Sequence, residues 1–198
     1  MMNLESFIKN FDSKSTIVLL EGKREVLEND KEKLFNLGRL LANETNEIIF
    51  RSGNSSGSDY FFSEGVCSVN KSRLELVVPY NKHRSKQSFN CKIHSLDDIL
   101  VSSENEVIIN SKKNKKMVKL IDAYISGKRD MYSIKAAYII RDTIKVIGCK
   151  NINPSSFAIF YDDLKNPMQG GTGHTMNICK INNIPLIDQG IWFNWLKS

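Results

Sequence analysis

The chain has 198 residues, 41% of them hydrophobic and 25% charged, which suits one soluble domain with a real core. Its formal net charge of +6 favours anionic partners, nucleic acid and phosphorylated small molecules alike. No apolar run approaches the roughly 20 residues of a membrane span, and the first residues lack the apolar centre of a secretion signal, so a cytoplasmic protein with no membrane contact is expected.

Leu4, Phe7, Ile8 and Phe11 recur at helical spacing, which predicts a short amphipathic helical extension over 1–14. The run Thr16-Ile17-Val18-Leu19-Leu20 reads as a strand buried on both faces and ends at Glu21-Gly22-Lys23-Arg24. A helix begins near Asn29 or Asp30, with Leu34, Leu37, Gly38 and Leu41 on one face. A second strand, Glu47 to Arg51, runs into Ser52-Gly53-Asn54-Ser55-Ser56-Gly57-Ser58-Asp59, and the helix after it carries Tyr60, Phe61, Phe62 and Val66. A third strand, Leu74 to Val78, stops at Pro79. This alternation predicts an α/β fold: a Rossmann-like parallel sheet flanked by helices with right-handed crossovers, forming a single domain over 15–198.

From about 80 to 116 the rhythm breaks into a polar, basic stretch, read as an insertion or lid. It contains a weakly strand-like run at Glu106 to Ile109, a short helix near Leu96 to Leu100, and the lysine run Lys112 to Lys116, a solvated loop without interleaved aromatic residues. Helices follow near Met117 to Ser126 and Tyr132 to Ile147, then a strand at Phe157 to Tyr161. After the loop Gln169-Gly170-Gly171-Thr172-Gly173-His174 come a helix through Ile178 and Ile181, a strand at Ile184 to Asp188, and a terminal helix carrying Trp192 and Trp195. Cys67, Cys91, Cys149 and Cys179 are scattered, so neither a disulfide framework nor a zinc site is expected.

Two glycine-rich loops join a strand to a helix, the position where ligands bind a parallel sheet. Helix N-termini there offer free N–H groups and a positive dipole end to a phosphate. The expected phosphate-binding residues are Ser52, Gly53, Asn54, Gly57, Ser58 and Asp59 in one loop and Gly170, Gly171, Thr172, Gly173, His174 and Thr175 in the other. Gly22, Lys23 and Arg24 join them at the end of the first strand. Arg141 falls at the edge of its helix's apolar arc, between Ile134 and Ala137, where a charge needs a partner: a protein carboxylate or a ligand anion. Neither loop matches G-x-G-x-x-G or the loop ending in Gly-Lys-Ser/Thr, so conventional dinucleotide and nucleoside-triphosphate folds are disfavoured.

These pieces resemble the SLOG superfamily of Rossmann-like proteins, which includes the Lonely Guy phosphoribohydrolases, the DNA-processing protein A fold and sensors of nucleotide-derived signals. The resemblance rests on Leu37-Gly38-Arg39-Leu40-Leu41-Ala42, Arg51 to Asp59, Arg141-Asp142, Gly170 to Thr175 and Ile184-Pro185-Leu186-Ile187-Asp188, and covers roughly Ile17 to Asp188. It implies a nucleotide-type small molecule as partner and a homo-oligomer, without a cofactor. Lonely Guy enzymes carry a catalytic glutamate in Gly-Gly-x-Gly-Thr-x-x-Glu, and here Asn177 stands in that position, which cannot do general acid–base work. The reading is therefore non-catalytic binding, sensing or sequestering an ADP-ribose-like or cyclic nucleotide, as in a phage or mobile-element anti-defence protein. One alternative is a phosphoribohydrolase or N-glycosidase using another carboxylate, such as Glu21, Asp59 or Asp188. Nucleic-acid binding, by analogy with DNA-processing protein A, is the other.

Overall fold

A computed structural model describes residues 2–87 and 89–197. Met1, Ser88 and Ser198, which fall within the segments 1–14, 80–116 and 15–198, lie outside the described residues. Six strands are formed among the described residues: β1 (Ile17–Gly22), β2 (Ile49–Ser52), β3 (Leu74–Val78), β4 (Lys92–Ser95), β5 (Phe157–Tyr161) and β6 (Leu186–Ile187). All pair in parallel, in the order β4-β3-β2-β1-β5-β6. The helices are α1 (Leu4–Phe11), α2 (Glu28–Glu44), α3 (Ser58–Asn70), α4 (Asn105–Ser111), α5 (Val118–Ile125), α6 (Ile134–Ile147), α7 (Gly170–Ile181) and α8 (Gln189–Trp192). This is the Rossmann-like α/β fold. None of these helices is long and apolar enough to cross a membrane.

The strands are apolar runs because both faces of the sheet are covered. Val18 and Leu20 of β1 pack with Phe50, Leu76 and Ile159 under α1, α2, α3 and α8, whereas Leu19 faces α6 and α7 with Val146, Phe160 and Met176. On the first side, α1 is capped by the Asn3 carboxamide, which accepts the Ser6 N–H at 2.8 Å. Its Phe7 meets Phe157 and Trp195 at ring-centroid distances of 5.1 and 5.2 Å. Helices α2 and α3 approach closely through two glycines: a Cβ on Gly38 would lie 2.3 Å from the Phe62 carbonyl, and one on Gly65 would lie 2.0 Å from that of Phe35.

Three elements differ from the sequence reading. Gly170 to His174, read as a loop, already forms the first turns of α7, since a glycine-rich run carries little helical signal. Glu106 to Ile109 is helical, not extended: Val107 and Ser111 are buried one turn apart, and the Ser111 hydroxyl donates to Thr143 Oγ1 of α6 at 2.9 Å. The stretch read as an insertion also supplies the edge strand β4, whose Val77↔His94 register extends the sheet. Lys-Ile-His-Ser shows no apolar run because an edge strand is covered on fewer sides.

The topology places the site. From β1 the chain builds outwards to β2, β3 and β4, then crosses back through α4, α5 and α6 to β5 on the other flank of β1. The reversal opens a crevice beyond the carboxyl ends of β1 and β5.

Candidate functional site

Side-chain alternation puts Glu21, Arg51 and Glu75 on the α6 side of the sheet, opposite the aromatic core. Arg51 is fully buried. Its Nε donates to Glu75 Oε1 at 2.7 Å, its Nη1 donates to the Lys145 carbonyl at 2.9 Å, and His94 closes on the other Glu75 oxygen at 3.3 Å. Burial works against the Glu75 carboxylate, yet His94 and Arg51 hold it down to about 2.

One turn beyond this pair lies a second buried network. Lys145 Nζ bridges Glu21 Oε2 at 2.5 Å and Asp142 Oδ1 at 2.9 Å. Thr175 Oγ1 of α7 donates to Glu21 Oε1 at 2.9 Å, and Arg141 Nε pairs with Asp142 Oδ1 at 3.1 Å. Arg141, Asp142 and Lys145 are presented together because positions i, i+1 and i+4 of α6 face one edge of the sheet. Two buried cations face three buried carboxylates: Glu21, Asp142 and Asp59. Burial, opposed by Lys145 and reinforced by Asp142 and Asp59, raises Glu21 to about 7. Burial would raise Asp142 as well, but Arg141 and Lys145 keep it below its ordinary value.

The loops around the network are laced to one another. Asp59 accepts the Gly22 N–H at 3.3 Å and the Ser55 N–H at 3.2 Å, so it ties the end of β1 to the loop before α3. The Lys23 carbonyl accepts both the N–H and the hydroxyl of Ser58, at 3.0 and 2.7 Å. Gly57, at φ +81°, lets the loop lie on Arg24, whose carbonyl would sit 2.1 Å from any Cβ there. The Gly53 carbonyl accepts from Arg141 Nη1 at 2.7 Å. Among the described residues, Arg141 Nη2 has no hydrogen-bond partner.

Above this floor opens a cleft of about 700 Å³. Glu21 to Glu25 line it on the β1 side, Gln169 to Thr172 on the β5 side, and Lys135, Tyr138, Ile139, Arg141 and Asp142 along α6. The first turn of α7 enters the cleft uncapped: among the described residues, the N–H groups of Gly170, Gly171 and Thr172 donate to no acceptor. A Cβ on Gly171 would lie 3.4 Å from Asp142 Oδ2, which puts this helix end beside the Arg141–Asp142 pair. Tyr138 forms the aromatic wall, with its ring 5.7 Å from the Arg141 guanidinium and 5.8 Å from the His83 ring. At the mouth, Arg24 and Lys135 are exposed, while Lys23 leans towards Asp163 at 3.6 Å and Asp162 at 3.9 Å.

With this geometry in place, comparison with known proteins is informative about the fold. No protein-family model and no curated protein sequence matches the chain. A solved structure does: DNA processing protein A from Helicobacter pylori, described for its single-stranded DNA binding mode, with a TM-score of 0.55 over 88% of this chain. The likeness is one of fold. Identity is 17%, and the chain spans 65% of the length of that protein's chain.

Of the residues expected from sequence, Gly22, Lys23, Arg24, Asp59, Arg141, Gly170, Gly171 and Thr172 line the cleft, and Ser55, which was not expected, joins them. Ser52, Gly53, Asn54, Gly57 and Ser58 lie outside its lining. Asn54 Nδ2 donates to the His83 carbonyl at 3.1 Å and the Ser58 hydroxyl to the Lys23 carbonyl, whereas the buried Ser52 hydroxyl has no hydrogen-bond partner among the described residues. Gly173 packs against the Met168 carbonyl, and His174 points to α6, where its Nε2 lies 3.1 Å from Thr143 Oγ1 and burial keeps its pKa below the ordinary value. Thr175 reaches Glu21 from behind the cleft, and Asn177 lies outside the lining. Lys145, Tyr138 and Lys135 went unread in the sequence. Their signal was the spacing Lys-x-x-Tyr-x-x-Arg-Asp-x-x-Lys, which turns one edge of α6 towards the site.

Proposed function

We propose that the cleft binds a nucleotide unit through its phosphate, and that single-stranded nucleic acid is the form in which that unit is presented. The observation that carries this reading is the meeting of two unsatisfied donor sets in one crevice: the free Nη2 of buried Arg141 and the three free N–H groups opening α7. A buried guanidinium and a helix N-terminus are complementary to a phosphate oxygen set. Tyr138 supplies a face on which a base can stack. The exposed cations Arg24 and Lys135, with Lys82, Arg84 and Lys86 in a depression of their own, give a strand further phosphates to meet. The likeness in fold to a protein described for binding single-stranded DNA supports the same choice.

A free nucleotide-derived ligand, ADP-ribose-like or cyclic, is the second reading. The specific observation in its favour is the cleft volume, within the range of small-molecule sites.

Fluorescence anisotropy with labelled oligo(dT), competed by ADP-ribose and cyclic AMP, separates the two. Strand binding that weakens about tenfold or more in Tyr138→Ala, and whose salt slope falls by about one in Lys135→Glu, supports the first reading. Since a +6 protein binds DNA nonspecifically, Lys113→Glu is the control. Equal losses in all three variants would overturn the strand reading, and displacement by the small molecules alone would favour the second.

A further inference from the structure

The cleft floor holds more negative than positive charge before any ligand arrives. Glu21 on β1 faces Arg141, Asp142 and Lys145 on α6, Asp59 on α3, and Thr175 with the uncharged Cys179 thiol on α7. With every group ionised, two cations oppose three carboxylates in a region almost closed to water. A phosphate seated on Arg141 and the α7 N-terminus adds further negative charge within the same network. Some group must then release its charge, because an unbalanced buried ion is costly.

We propose that the cleft is a joint site for a phosphate-type anion and a proton, with Glu21 taking up the proton as the anion enters. The inference rests on the reading that this cleft binds a nucleotide phosphate. Geometry singles out Glu21 among the three carboxylates. Asp59 accepts two backbone N–H groups, and Asp142 is paired with both Arg141 and Lys145. Glu21 has one cation, which it shares with Asp142, and one hydroxyl. The Thr175 oxygen can turn its own hydrogen away and accept from a protonated Glu21, so both protonation states keep a partner. Its carboxyl already sits near neutrality, raised to about 7 by burial.

The linkage has a definite sign. An anion beside Glu21 stabilises the protonated carboxyl, so its pKa is higher in the complex than in the free protein. Affinity is then full below pH 7 and falls as pH rises, by up to about tenfold per unit, until the bound-state pKa is passed. The test is calorimetric titration of the full chain with oligo(dT), whose phosphodiesters do not titrate near neutrality, in two buffers of different ionisation heat. Uptake of up to about three quarters of a proton per bound strand at pH 7.5 is expected. Glu21→Gln should bind without uptake and without the pH dependence. Thr175→Val, which removes a donor from the carboxylate, should move the fall in affinity to higher pH. Binding without proton exchange in the wild type, or uptake that persists in Glu21→Gln, overturns this proposal and leaves phosphate binding standing. Absence of binding by oligo(dT), ADP-ribose and cyclic AMP overturns both.

Discussion

Replacing Gly53 with alanine would test the placement of Arg141 without touching Arg141 itself. The backbone at Gly53 is not in the left-handed region, so the substitution acts through its methyl group alone. That methyl would lie 1.8 Å from Arg141 Nη1, 3.0 Å from Cζ and 2.9 Å from Asp59 Oδ2. Restoring ordinary contact at about 3.5 Å requires the guanidinium to retreat by more than about 1.5 Å. The retreat breaks the 2.7 Å bond to the Gly53 carbonyl, and a bond of this charged kind contributes about 1.5–3 kcal/mol. Crowding in a packed region adds about 1–3 kcal/mol, so the unfolding free energy should fall by roughly 3 kcal/mol in urea titration. Oligo(dT) affinity should fall about 10- to 100-fold, the equivalent of losing one charged hydrogen bond to phosphate. Gly171→Ala is the comparison: its methyl meets nothing closer than Asp142 Oδ2 at 3.4 Å, so a loss of stability confined to Gly53→Ala marks crowding at Arg141. A Gly53→Ala protein that unfolds and binds like the wild type would refute the account of the site floor.

Three further outcomes are expected. Glu75→Gln should cost about 3 kcal/mol in urea titration, because Arg51 stays buried beside a neutral partner. The Glu75 contribution is fully present above about pH 4.5 and should vanish as pH falls towards 2, where the folded state finally takes the proton. His83, pushed down to about 4 by burial and by the cations Arg141, Arg84 and Arg24, remains neutral where the unfolded chain would protonate it. Stability should therefore decline as pH falls from about 6.5 to 4, by up to about 3 kcal/mol, and His83→Gln should flatten that part of the pH profile in thermal melts. Gly65→Ala should lower the melting temperature by driving α2 from α3, at a cost of about 2–3 kcal/mol; an unchanged melt would contradict the observed approach.

The buried strands were legible because strands covered on both faces are written as apolar runs: Leu74 to Val78 and Phe157 to Tyr161 coincide with β3 and β5. The edge strand β4 and helix α4 were not, since Lys92 to Ser95 shows almost no apolar signal and the Val-Ile-Ile of 107–109 is as strand-like as it is helical. At the site, sequence located the two loops and Arg141 but not the division of labour between them. Gly, Ser and Asn carry the same local signal whether a loop wraps a phosphate or wraps its own protein. Only the fold shows that Ser55 and Ser58 of the first loop are tied to Asp59 and to the Lys23 carbonyl, and that the N–H groups opening α7 face the cleft without an acceptor among the described residues. Lys145 was hidden for a related reason. A lysine on a helix ordinarily faces water, and its burial depends on Glu21, which lies 124 residues away in the chain.

That separation bears on how the binding site comes into being. Thr175 and Glu21 lie 154 residues apart, and Arg141 and Gly53 lie 88 apart, so no short stretch of the chain can assemble the crevice by itself. The turn at Gly127, where a Cβ would meet nothing within 4 Å, divides its buried charges into two unequal sets. The segment before it carries Glu21 and Asp59, with two negative charges. The segment after it carries Arg141, Lys145 and Asp142, with one positive charge in excess. Two fragments parted at that turn would each hold part of the buried network, and ligand binding would become a reporter of their reunion.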